Sequence, residues 1–272
     1  IDSDSSALKT FEKNHGNAKA MNLDLFNHEN IYVLEKYMKK ERKQLDVLVG
    51  GPPCQGFSLA GKRDETDERN ILYSAMVKAA EILRPRAIVL ENVTGMLTLY
   101  KGQAKEKIFK DFNKLGYKMN VKILYAPDYG VPQIRKRAFF VGILDSDVQF
   151  EYPNPTVKAE NYVTCEQAIG DLPSLINENN FSLDVVREYE SDPITEYQKK
   201  MRKGSKKIYN HIATNHTEKT IGYLSMIPDG GKYTDLPEEL AKNFKYRESL
   251  HRYTSDKPSL TIDTGHRTHF HY

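Results

Sequence analysis

The stretch Leu45-Asp-Val-Leu-Val-Gly-Gly-Pro-Pro53 is the starting point for assigning the fold of this sequence. An apolar run that ends in glycines and prolines predicts a short buried strand that leads into a turn. Residues 86–90, Arg-Ala-Ile-Val-Leu, form a second run of the same kind, and helical patterns lie before and between the two runs. Apolar strands without an apolar–polar alternation, separated by helices, indicate an α/β fold with a largely parallel sheet.

The same alternation continues along the first half of the chain. Its periodicity predicts helices over residues 7–15, 30–43, 71–83 and 105–115. It predicts further strands over residues 117–125 and 137–144. Beyond residue 150 the periodicity fades and prolines are frequent, so we expect a second, smaller and irregular domain. We place the domains at 1–157 and 158–255, and expect residues 256–272 to return toward the first domain.

Composition excludes several classes of protein. The 272 residues are 39% hydrophobic and 28% charged with a net charge of +3, which is typical of a globular domain and not of a collagen or a coiled coil. No apolar run is long enough to predict a membrane span. The two cysteines are too few for a disulfide framework or a cysteine-based zinc finger, and they indicate a reducing, cytoplasmic setting.

Three features of the first domain suggest chemistry, and each has a structural alternative. Cys54 follows a rigid proline–glycine turn at a strand end, as a nucleophile would, although a lone cysteine is more often structural. Glu91 follows a hydrophobic strand, and could be a general acid, a surface charge or a helix N-terminal acid. Arg135 and Arg137 alternate in a predicted strand, so they would face one way as a clamp for a polar substrate, or else decorate an exposed edge.

Four ordered segments carry a resemblance to a known family. They are Gly50-Gly-Pro-Pro-Cys-Gln-Gly-Phe-Ser58, Asp67-Glu-Arg-Asn-Ile-Leu-Tyr73, Glu91-Asn-Val93 and Asp128-Tyr-Gly-Val-Pro-Gln-Ile-Arg-Lys-Arg137. In order and spacing they resemble the DNA (cytosine-5)-methyltransferase family. The resemblance extends to Asp2–Ala7, Asn22–Leu25 and Pro258–Ile262. It implies a Rossmann-like catalytic domain that uses S-adenosylmethionine, with a smaller target-recognition domain, and double-stranded DNA as the partner.

The resemblance also implies a catalytic role for each of four residues. Cys54 would add to C6 of a cytosine that has been flipped out of the duplex, because a thiolate cannot reach C6 inside the base stack. Glu91 would protonate or hydrogen-bond N3 and contact the exocyclic amine. Arg137 would hold the base O2, and Arg135 would support the same site. Residues 55–62 resemble the loop that closes over the flipped base.

Cofactor and substrate contacts follow from the same matched positions. Asp2 would bind the ribose hydroxyls of S-adenosylmethionine, Asp24 the adenine amino group, and Leu25 and Leu72 would pack against the cofactor. Candidates for substrate binding are Pro53, Gln55, Ser58, Asn92 and Gln133. The family's glycine-rich cofactor loop would precede Ile1, and its C-terminal segments would follow Tyr272. We therefore expect an incomplete catalytic domain, which the missing segments or a second subunit would complete, and weak cofactor binding by this chain alone.

Target recognition is expected between residues 158 and 255. Side chains that could read base edges there are Arg202, Lys203, Arg247 and Arg252. A basic run supplies candidates for contact with the DNA backbone, namely Lys199, Lys200, Arg202 and Lys203, although a solvated surface segment would have the same composition. The histidines at 266, 269 and 271 lack the accompanying ligands of a metal site, so we expect no metal.

Three other functions remain as alternatives. A transfer RNA cytosine-5 methyltransferase uses the same catalytic scaffold, although Gly56-Phe-Ser58 looks more like the DNA enzymes. A split half or a non-catalytic DNA-binding subunit would fit the incomplete domain, but Cys54 and Glu91 are both present. A thiol hydrolase would need a histidine near Cys54, and the histidines cluster late in the chain. The absence of a long regulatory extension favours a bacterial restriction-modification or orphan enzyme.

Overall fold

A computed structural model divides the chain into two compact units. It describes residues 1–53, 68–145, 150–175, 181–182, 184–244, 250–262 and 269–270. The first unit comprises Ile1–Leu124 and Lys136–Pro153, and the second comprises Tyr125–Arg135 and Asn154–Tyr272. The second unit therefore includes a short segment, Tyr125–Arg135, that lies between two parts of the first unit in sequence. The predicted domain limits, 1–157 and 158–255, place this segment in the first domain instead.

The first unit contains helices and strands close to those that its sequence predicts. They are α1 (Ser5–Asn14), α2 (Asn30–Lys40), β1 (Val47–Gly50), α3 (Glu68–Leu83), β2 (Ala87–Val93), α4 (Gln103–Lys114), β3 (Tyr117–Tyr125) and β4 (Lys136–Leu144). Local chemistry explains several of the boundaries. Asp4 caps α1 by accepting hydrogen bonds from the backbone of Ser6 and Ala7, and Gly116 follows α4 with a φ of 90°, which favours glycine.

The four strands form a mixed sheet in the order β1-β2-β4-β3. β1 and β2 are parallel, with Gly50 opposite Leu90, whereas β2 and β4 are antiparallel, with Val93 opposite Arg137. The expectation of a largely parallel sheet is therefore wrong for this part of the chain. β3 and β4 are also neighbours in this sheet, and residues 126–135 connect them. This connection is shorter than the crossover of about a dozen residues or more that a parallel pair requires.

The core of the first unit lies on β2 and β4 and on the helices that cover them. Ile88 and Phe140 are fully buried there, together with Phe112 of α4 and Tyr117 at the start of β3. The rings of Phe112 and Tyr117 pack edge to face at 6.2 Å, a favourable geometry for aromatic pairs. β1 departs from its prediction as a buried strand, because Val47 and Val49 on one face are exposed while the other face is half-buried.

The second unit consists of short elements. They are α5 (Cys165–Ile169), β5 (Val186–Arg187), α6 (Glu196–Arg202), β6 (Ile208–Tyr209), α7 (Glu218–Met226), α8 (Glu238–Ala241), β7 (His251–Arg252) and β8 (His269–Phe270). β5 pairs with β6 antiparallel, and β7 pairs with β8 parallel. Capping boxes begin both α5 and α6, formed by Thr164 with Gln167 and by Thr195 with Gln198. In the described parts of the chain, no helix combines the length and the apolar character needed to cross a membrane.

Candidate active site

The turn after β1 and the end of β2 lie side by side in the first unit. The parallel register pairs Gly50 with Leu90, so Gly51 and the prolines that follow it run beside Glu91 and Asn92. Both of these residues lie within β2, whereas the sequence suggested that they follow the strand. A Cβ atom on Gly51 would be 3.4 Å from Oε2 of Glu91. The glycine therefore leaves room for the carboxylate to approach the backbone of the turn.

Asn92 holds this turn. Its side chain is 8% exposed, and its Nδ2 donates a hydrogen bond of 2.8 Å to the carbonyl oxygen of Pro52. Its Oδ1 accepts from the backbone N–H of Val93 at 2.9 Å. Neither Pro52 nor Pro53 has an N–H to bond the neighbouring strand, so a side-chain donor is needed to fix the turn. Asn92 thus orients the backbone that leads directly to Cys54.

Asn92→Ala should lower the free energy of unfolding by about 1 kcal/mol, because the half-buried carbonyl of Pro52 loses its donor. Chemical denaturation measures this change. The matched control is Asn14→Ala, since Nδ2 of Asn14 also donates to a carbonyl, that of Thr10, but at an exposed site on α1. We expect that variant to stay within about 0.5 kcal/mol of the unaltered protein. Equal losses in the two variants would contradict a special role for Asn92.

Glu91 and Arg137 form an ion pair between adjacent strands of the same sheet. Nε of Arg137 lies 2.9 Å from Oε1 of Glu91, and their side chains are 21% and 36% exposed, respectively. Nη1 of Arg137 also donates to the carbonyl oxygen of Lys136 at 2.8 Å. A charge-assisted hydrogen bond in this half-buried setting orients both groups. The pair therefore presents a carboxyl group and further guanidinium N–H donors close to the turn that Asn92 holds.

Arg135 and Gln133 belong to the second unit. β4 begins at Lys136, so the expectation that Arg135 and Arg137 alternate in one strand is wrong. The backbone N–H of Ala126 donates to the carbonyl oxygen of Arg135 at 2.9 Å and closes residues 126–135 into a loop, which we call the Gln133 loop. Gln133 and Arg135 are both half-buried in it. Arg135 is therefore the last residue of this loop and lies one position before β4.

Two of the residues proposed for the cofactor, Asp2 and Asp24, lie on segments that a short backbone bridge joins. Asp2 and Asn22 pair as an isolated parallel bridge, which brings the segment of Asp24 beside that of Asp2. Both carboxylates are exposed, and they accept backbone hydrogen bonds of 2.9 Å from Asp4 and Phe26, respectively. Leu25 packs against the buried cluster of Ile31, Ala75 and Ala79, and Leu72 is half-buried on α3. Exposed carboxylates beside apolar side chains suit a ligand with hydroxyl or amino donors and an aromatic ring.

The basic run of the second unit contains two kinds of side chain. Arg202 is internal: its Nη1 lies 3.0 Å from Oδ2 of the buried Asp171, its Nη2 donates to Ser191, and its guanidinium stacks 3.6 Å from the centre of the Tyr189 ring. Lys199 and Lys203, together with Arg202, line a shallow, open groove of about 530 Å³. The lysines at 199, 200 and 203 are exposed, and Lys199 pairs with Glu196 at 2.6 Å.

Several residues named from the sequence fall outside the described part of the chain. They are Cys54, Gln55, Ser58, Arg247, His266 and His271; the side chain of His269 is also not described. Pro53 is described, and it ends the turn that Asn92 holds. Within the described residues, no three histidine, cysteine, aspartate or glutamate side chains are grouped to hold a metal ion.

Cys165, the second cysteine, is structural in its surroundings. It is 4% exposed at the start of α5, and its backbone N–H donates to the carbonyl oxygen of Lys257 at 2.8 Å. Burial raises the pKa of its thiol, and the negative charge of Asp229 raises it further. Because the thiolate is the reactive form, both effects lower the nucleophilicity of Cys165 at neutral pH.

We expect Cys165 to react far more slowly with iodoacetamide in the native protein than in urea. Since a raised pKa reduces the thiolate fraction at a given pH, its alkylation rate should level off at a higher pH than that of an ordinary exposed thiol, whose pKa is about 8.5. Mass spectrometry of the peptide that contains Cys165 measures this rate without interference from other thiols. Alkylation in the native protein at the rate seen in urea would contradict its burial.

Sequence reasoning missed the residues that hold the candidate side chains in place. Asp171 and Tyr189 engage Arg202, and Ser259 and Thr261 bond the Gln133 loop from a distance of more than 120 residues in sequence. No local signal identifies the first two. The other two lie in Pro258–Ile262, a segment to which the family resemblance extends, but no role was assigned to them. They are hydroxyl residues at alternate positions, so they share a face.

Comparisons with known proteins find relatives over most of the chain. A family model of C-5 cytosine-specific DNA methylases matches residues 1–267. The Type II methyltransferase M.DdeI of Desulfomicrobium norvegicum is 35% identical over 246 residues, which cover 88% of this chain and 57% of that protein. The Type II methyltransferase M1.HphI of Haemophilus parahaemolyticus is 36% identical over 234 residues, which cover 85% and 55%, respectively. This chain therefore spans little more than half the length of these curated relatives.

Among solved structures, the chain is similar to a crystal structure described as a DNA modification methyltransferase encoded within an E. coli prophage. The TM-score is 0.71 at 24% sequence identity, and the match covers 95% of this chain and 73% of the other. At that identity the likeness concerns the fold, and it confirms the expected α/β, Rossmann-like methyltransferase architecture. With the family match over almost the whole sequence, it follows that this chain belongs to the C-5 cytosine-specific DNA methylase family.

Proposed function

We propose that this chain provides the catalytic residues of an enzyme that transfers a methyl group from S-adenosylmethionine to C5 of cytosine in duplex DNA. The observation that carries the proposal is the Glu91–Arg137 pair beside the turn that leads to Cys54. Family membership and the Type II methyltransferase relatives support the same reaction. Those relatives are bacterial, which supports a restriction-modification or orphan role.

The chemistry requires a nucleophile and a proton donor on opposite sides of the cytosine N3–C6 system. C5 of cytosine is a weak nucleophile, so we assign Cys54 to attack C6 as a thiolate. As the S–C6 bond forms, the electrons of the C5–C6 double bond move toward N3, where Glu91 donates a proton. The resulting enamine is nucleophilic at C5. Glu91 takes up a proton before the attack, and its contact with Arg137 at 2.9 Å orients the carboxyl group to pass that proton to N3.

Completion of the reaction returns each group to its starting state. After C5 has accepted the methyl group, a base removes the proton from C5, the C5–C6 double bond re-forms and the S–C6 bond breaks. Cys54 leaves as a thiolate, and Glu91 recovers its proton from N3. Arg137 and Arg135 would hold the O2 atom of the base during these steps, because guanidinium N–H groups are strong donors to a carbonyl oxygen.

The base must leave the duplex for this attack. Flipping costs a few kcal/mol in lost stacking and pairing, which contacts to the extruded base must offset. We assign Gln133, with Pro53 and the residues of the 55–62 loop, to contacts around that base. Asn92 we assign to positioning, because its amide holds the carbonyl of Pro52.

Four residues are proposed to hold the cofactor. S-adenosylmethionine, when bound, supplies the electrophilic methyl group. Asp2 would accept hydrogen bonds from the ribose hydroxyls and Asp24 from the adenine amino group, since both carboxylates are exposed on neighbouring segments. Leu25 and Leu72 would provide apolar surface for the adenine ring.

The second unit is proposed to recognise the target DNA. Its exposed lysines at 199 and 203 line the open groove, Lys200 is exposed next to Lys199 in sequence, and all three can contact phosphates. Arg202, by contrast, is engaged by Asp171, Ser191 and Tyr189. We therefore leave Arg202 out of the phosphate contacts, and assign it to fixing the end of α6, from which the lysines project.

Replacing these three lysines by glutamine should weaken binding to all duplex DNAs alike. The slope of log K against the logarithm of the salt concentration, where K is the association constant for DNA, should become less steep by about 0.9 for each phosphate that the protein no longer neutralises. The matched control replaces Lys36, Lys39 and Lys40, three lysines on α2, and so removes the same charge elsewhere. Titrations at several salt concentrations decide the matter. An equal fall in slope in both triple variants would show that the effect depends only on the net charge of the protein, and not on the position of the three lysines.

A labelled-donor assay tests the proposed function in the full-length protein. Duplex DNA and transfer RNA are incubated separately with S-adenosylmethionine labelled in its methyl group, and the nucleosides are then analysed. We expect label in 5-methylcytosine of the DNA and none in the RNA. Label in the RNA alone would show that the enzyme is a transfer RNA methyltransferase. If neither nucleic acid is labelled while the protein still binds DNA, the protein would be a non-catalytic DNA-binding subunit.

A further inference from the structure

One stretch of the second unit, Arg252–Thr261, runs from the turn formed by residues 227–231 to the Gln133 loop. We call it the return segment. At its beginning, the backbone N–H of Arg252 donates to the carbonyl oxygen of Gly231 at 2.8 Å, and its Nη1 donates to that of Ile227 at 3.1 Å. Ser255 donates from its backbone N–H and its hydroxyl to the carboxylate of Asp229, at 3.0 and 2.7 Å. These bonds fasten the segment to the turn formed by residues 227–231.

The middle of the return segment is fixed to α5. The carbonyl oxygen of Ser255 accepts a hydrogen bond of 3.0 Å from the backbone N–H of Glu166, and that of Lys257 accepts one of 2.8 Å from Cys165. The first N–H groups of a helix have no partner within it, so these carbonyls supply what α5 lacks. The segment is thereby held at an intermediate point as well as at its start.

The far end of the segment bonds the Gln133 loop. Ser259 and Gln133 pair as a parallel bridge, in which Ile134 N–H donates to the carbonyl of Ser259 at 2.7 Å. The carbonyl oxygen of Pro132 accepts two hydrogen bonds of 3.0 Å, from the backbone N–H and the hydroxyl of Ser259. The hydroxyl of Thr261 donates to the carbonyl oxygen of Ile134 at 2.8 Å.

The carbonyl groups of Pro132 and Ile134 directly precede Gln133 and Arg135 in the chain. The carbonyl of Pro132 shares a rigid peptide plane with the N and Cα atoms of Gln133, and that of Ile134 shares one with Arg135. Fixing each carbonyl therefore fixes the direction from which the next side chain leaves the backbone. The hydroxyls of Ser259 and Thr261 act on the peptide planes of Gln133 and Arg135 without touching their side chains.

A second contact holds the other side of the loop. The carboxylate of Asp128 accepts a short hydrogen bond from the Tyr162 hydroxyl, and its backbone carbonyl accepts from Thr156 and Val157 at 2.9 and 3.0 Å. The loop is thus anchored within the second unit at both ends of its length. Of the two anchors, only the return segment acts next to Gln133 and Arg135.

We propose that Ser259 and Thr261 are positioning residues, which clamp the Gln133 loop so that Gln133 and Arg135 have fixed directions, and that the return segment couples this loop to the 227–231 turn. The catalytic consequence rests on the proposed function, in which Gln133 and Arg135 contact the target base. The clamp itself is a property of the second unit. It can therefore be tested with and without catalysis.

The test compares Thr261→Val and Ser259→Ala with Thr261→Ser, which keeps the hydroxyl. Ser225→Ala is the control, because the Ser225 hydroxyl bonds a carbonyl of its own helix at an exposed site in the same unit. Hydrogen exchange read at residues 133–135 reports the clamp directly. We expect faster exchange there in Thr261→Val and Ser259→Ala, and unaltered exchange in Thr261→Ser and Ser225→Ala. Unchanged exchange in the first two, with native melting temperatures, would overturn the clamp.

Kinetics then test its consequence. Thr261→Val should lower kcat/KM about 5- to 10-fold, the effect of losing one hydrogen bond, and Thr261→Ser should restore it. Combined with Arg135→Ala, Thr261→Val should add little, because both act through the same side chain. Full additivity would overturn the positioning role. If the unaltered protein transfers no methyl group to DNA, the proposed function fails, while the exchange experiment still decides whether the clamp exists.

Discussion

Replacing Cys54 by alanine should abolish methyl transfer, with a loss on the order of 10⁴-fold or more, as expected when a covalent nucleophile is removed. The variant should also form no covalent complex with duplex DNA that contains 5-fluorocytosine. The reason is that fluorine at C5 cannot leave as a cation after methylation, so the S–C6 bond is trapped in the unaltered enzyme. Electrophoresis under denaturing conditions, with cofactor present, detects the trapped complex.

Cys165→Ser is the matched control for this prediction. Cys165 is the other cysteine of the sequence and is buried, with a thiol whose pKa is raised by burial. The control should trap the complex and methylate DNA at close to the usual rate per folded molecule. A complex that survives Cys54→Ala, or that disappears in the well-folded Cys165→Ser variant, would refute the assignment of the nucleophile.

Glu91→Gln should lower kcat by about 10²- to 10⁴-fold, the usual contribution of a positioned general acid. The amide cannot donate a carboxyl proton to N3, and it loses the charge-assisted bond of 2.9 Å to Arg137. Binding of the duplex should change little, because most of the affinity for DNA comes from phosphate contacts. Single-turnover rates at saturating DNA separate the chemical step from binding.

The effect on stability distinguishes this loss from unfolding. Glu91 is 36% exposed, so breaking its ion pair should cost no more than about 1 kcal/mol. Glu81→Gln is the control, since Glu81 pairs with Lys78 at 3.0 Å on the surface of α3 and plays no part in the proposed reaction. Equal kcat values for Glu91→Gln and Glu81→Gln would remove Glu91 from the chemistry. A loss of kcat without a loss of stability is the result we expect.

The pattern of the sequence was sufficient for the elements of the first unit. Periodicity places α2 and β3 within a few residues of their observed limits, because a half-buried helix or strand repeats its apolar residues at a fixed interval. The direction of β4 was not accessible in this way. Apolar strands look alike whether they are parallel or antiparallel. Only the register, in which Ala87 pairs with Ile143 and Val93 with Arg137, shows that β4 runs against β2.

The candidate site divides along the same line. Sequence motifs named Glu91 and Arg137 and identified the family, because the chemistry needs those residue types in that order. Their pairing at 2.9 Å depends on the register of β2 with β4, which no local pattern encodes. Motifs likewise named Asn92, whereas its bond to Pro52 depends on the neighbouring strand.

The sequence by itself therefore determined the class of fold, the family and the types of side chain available for chemistry. Only the tertiary structure decided which of them are held together: Glu91 by Arg137, Arg202 by Asp171, and the Gln133 loop by Ser259 and Thr261. The physical reason is that residue type and local periodicity are properties of neighbours in the chain. Hydrogen bonds between residues 127 positions apart exist only once the backbone has folded.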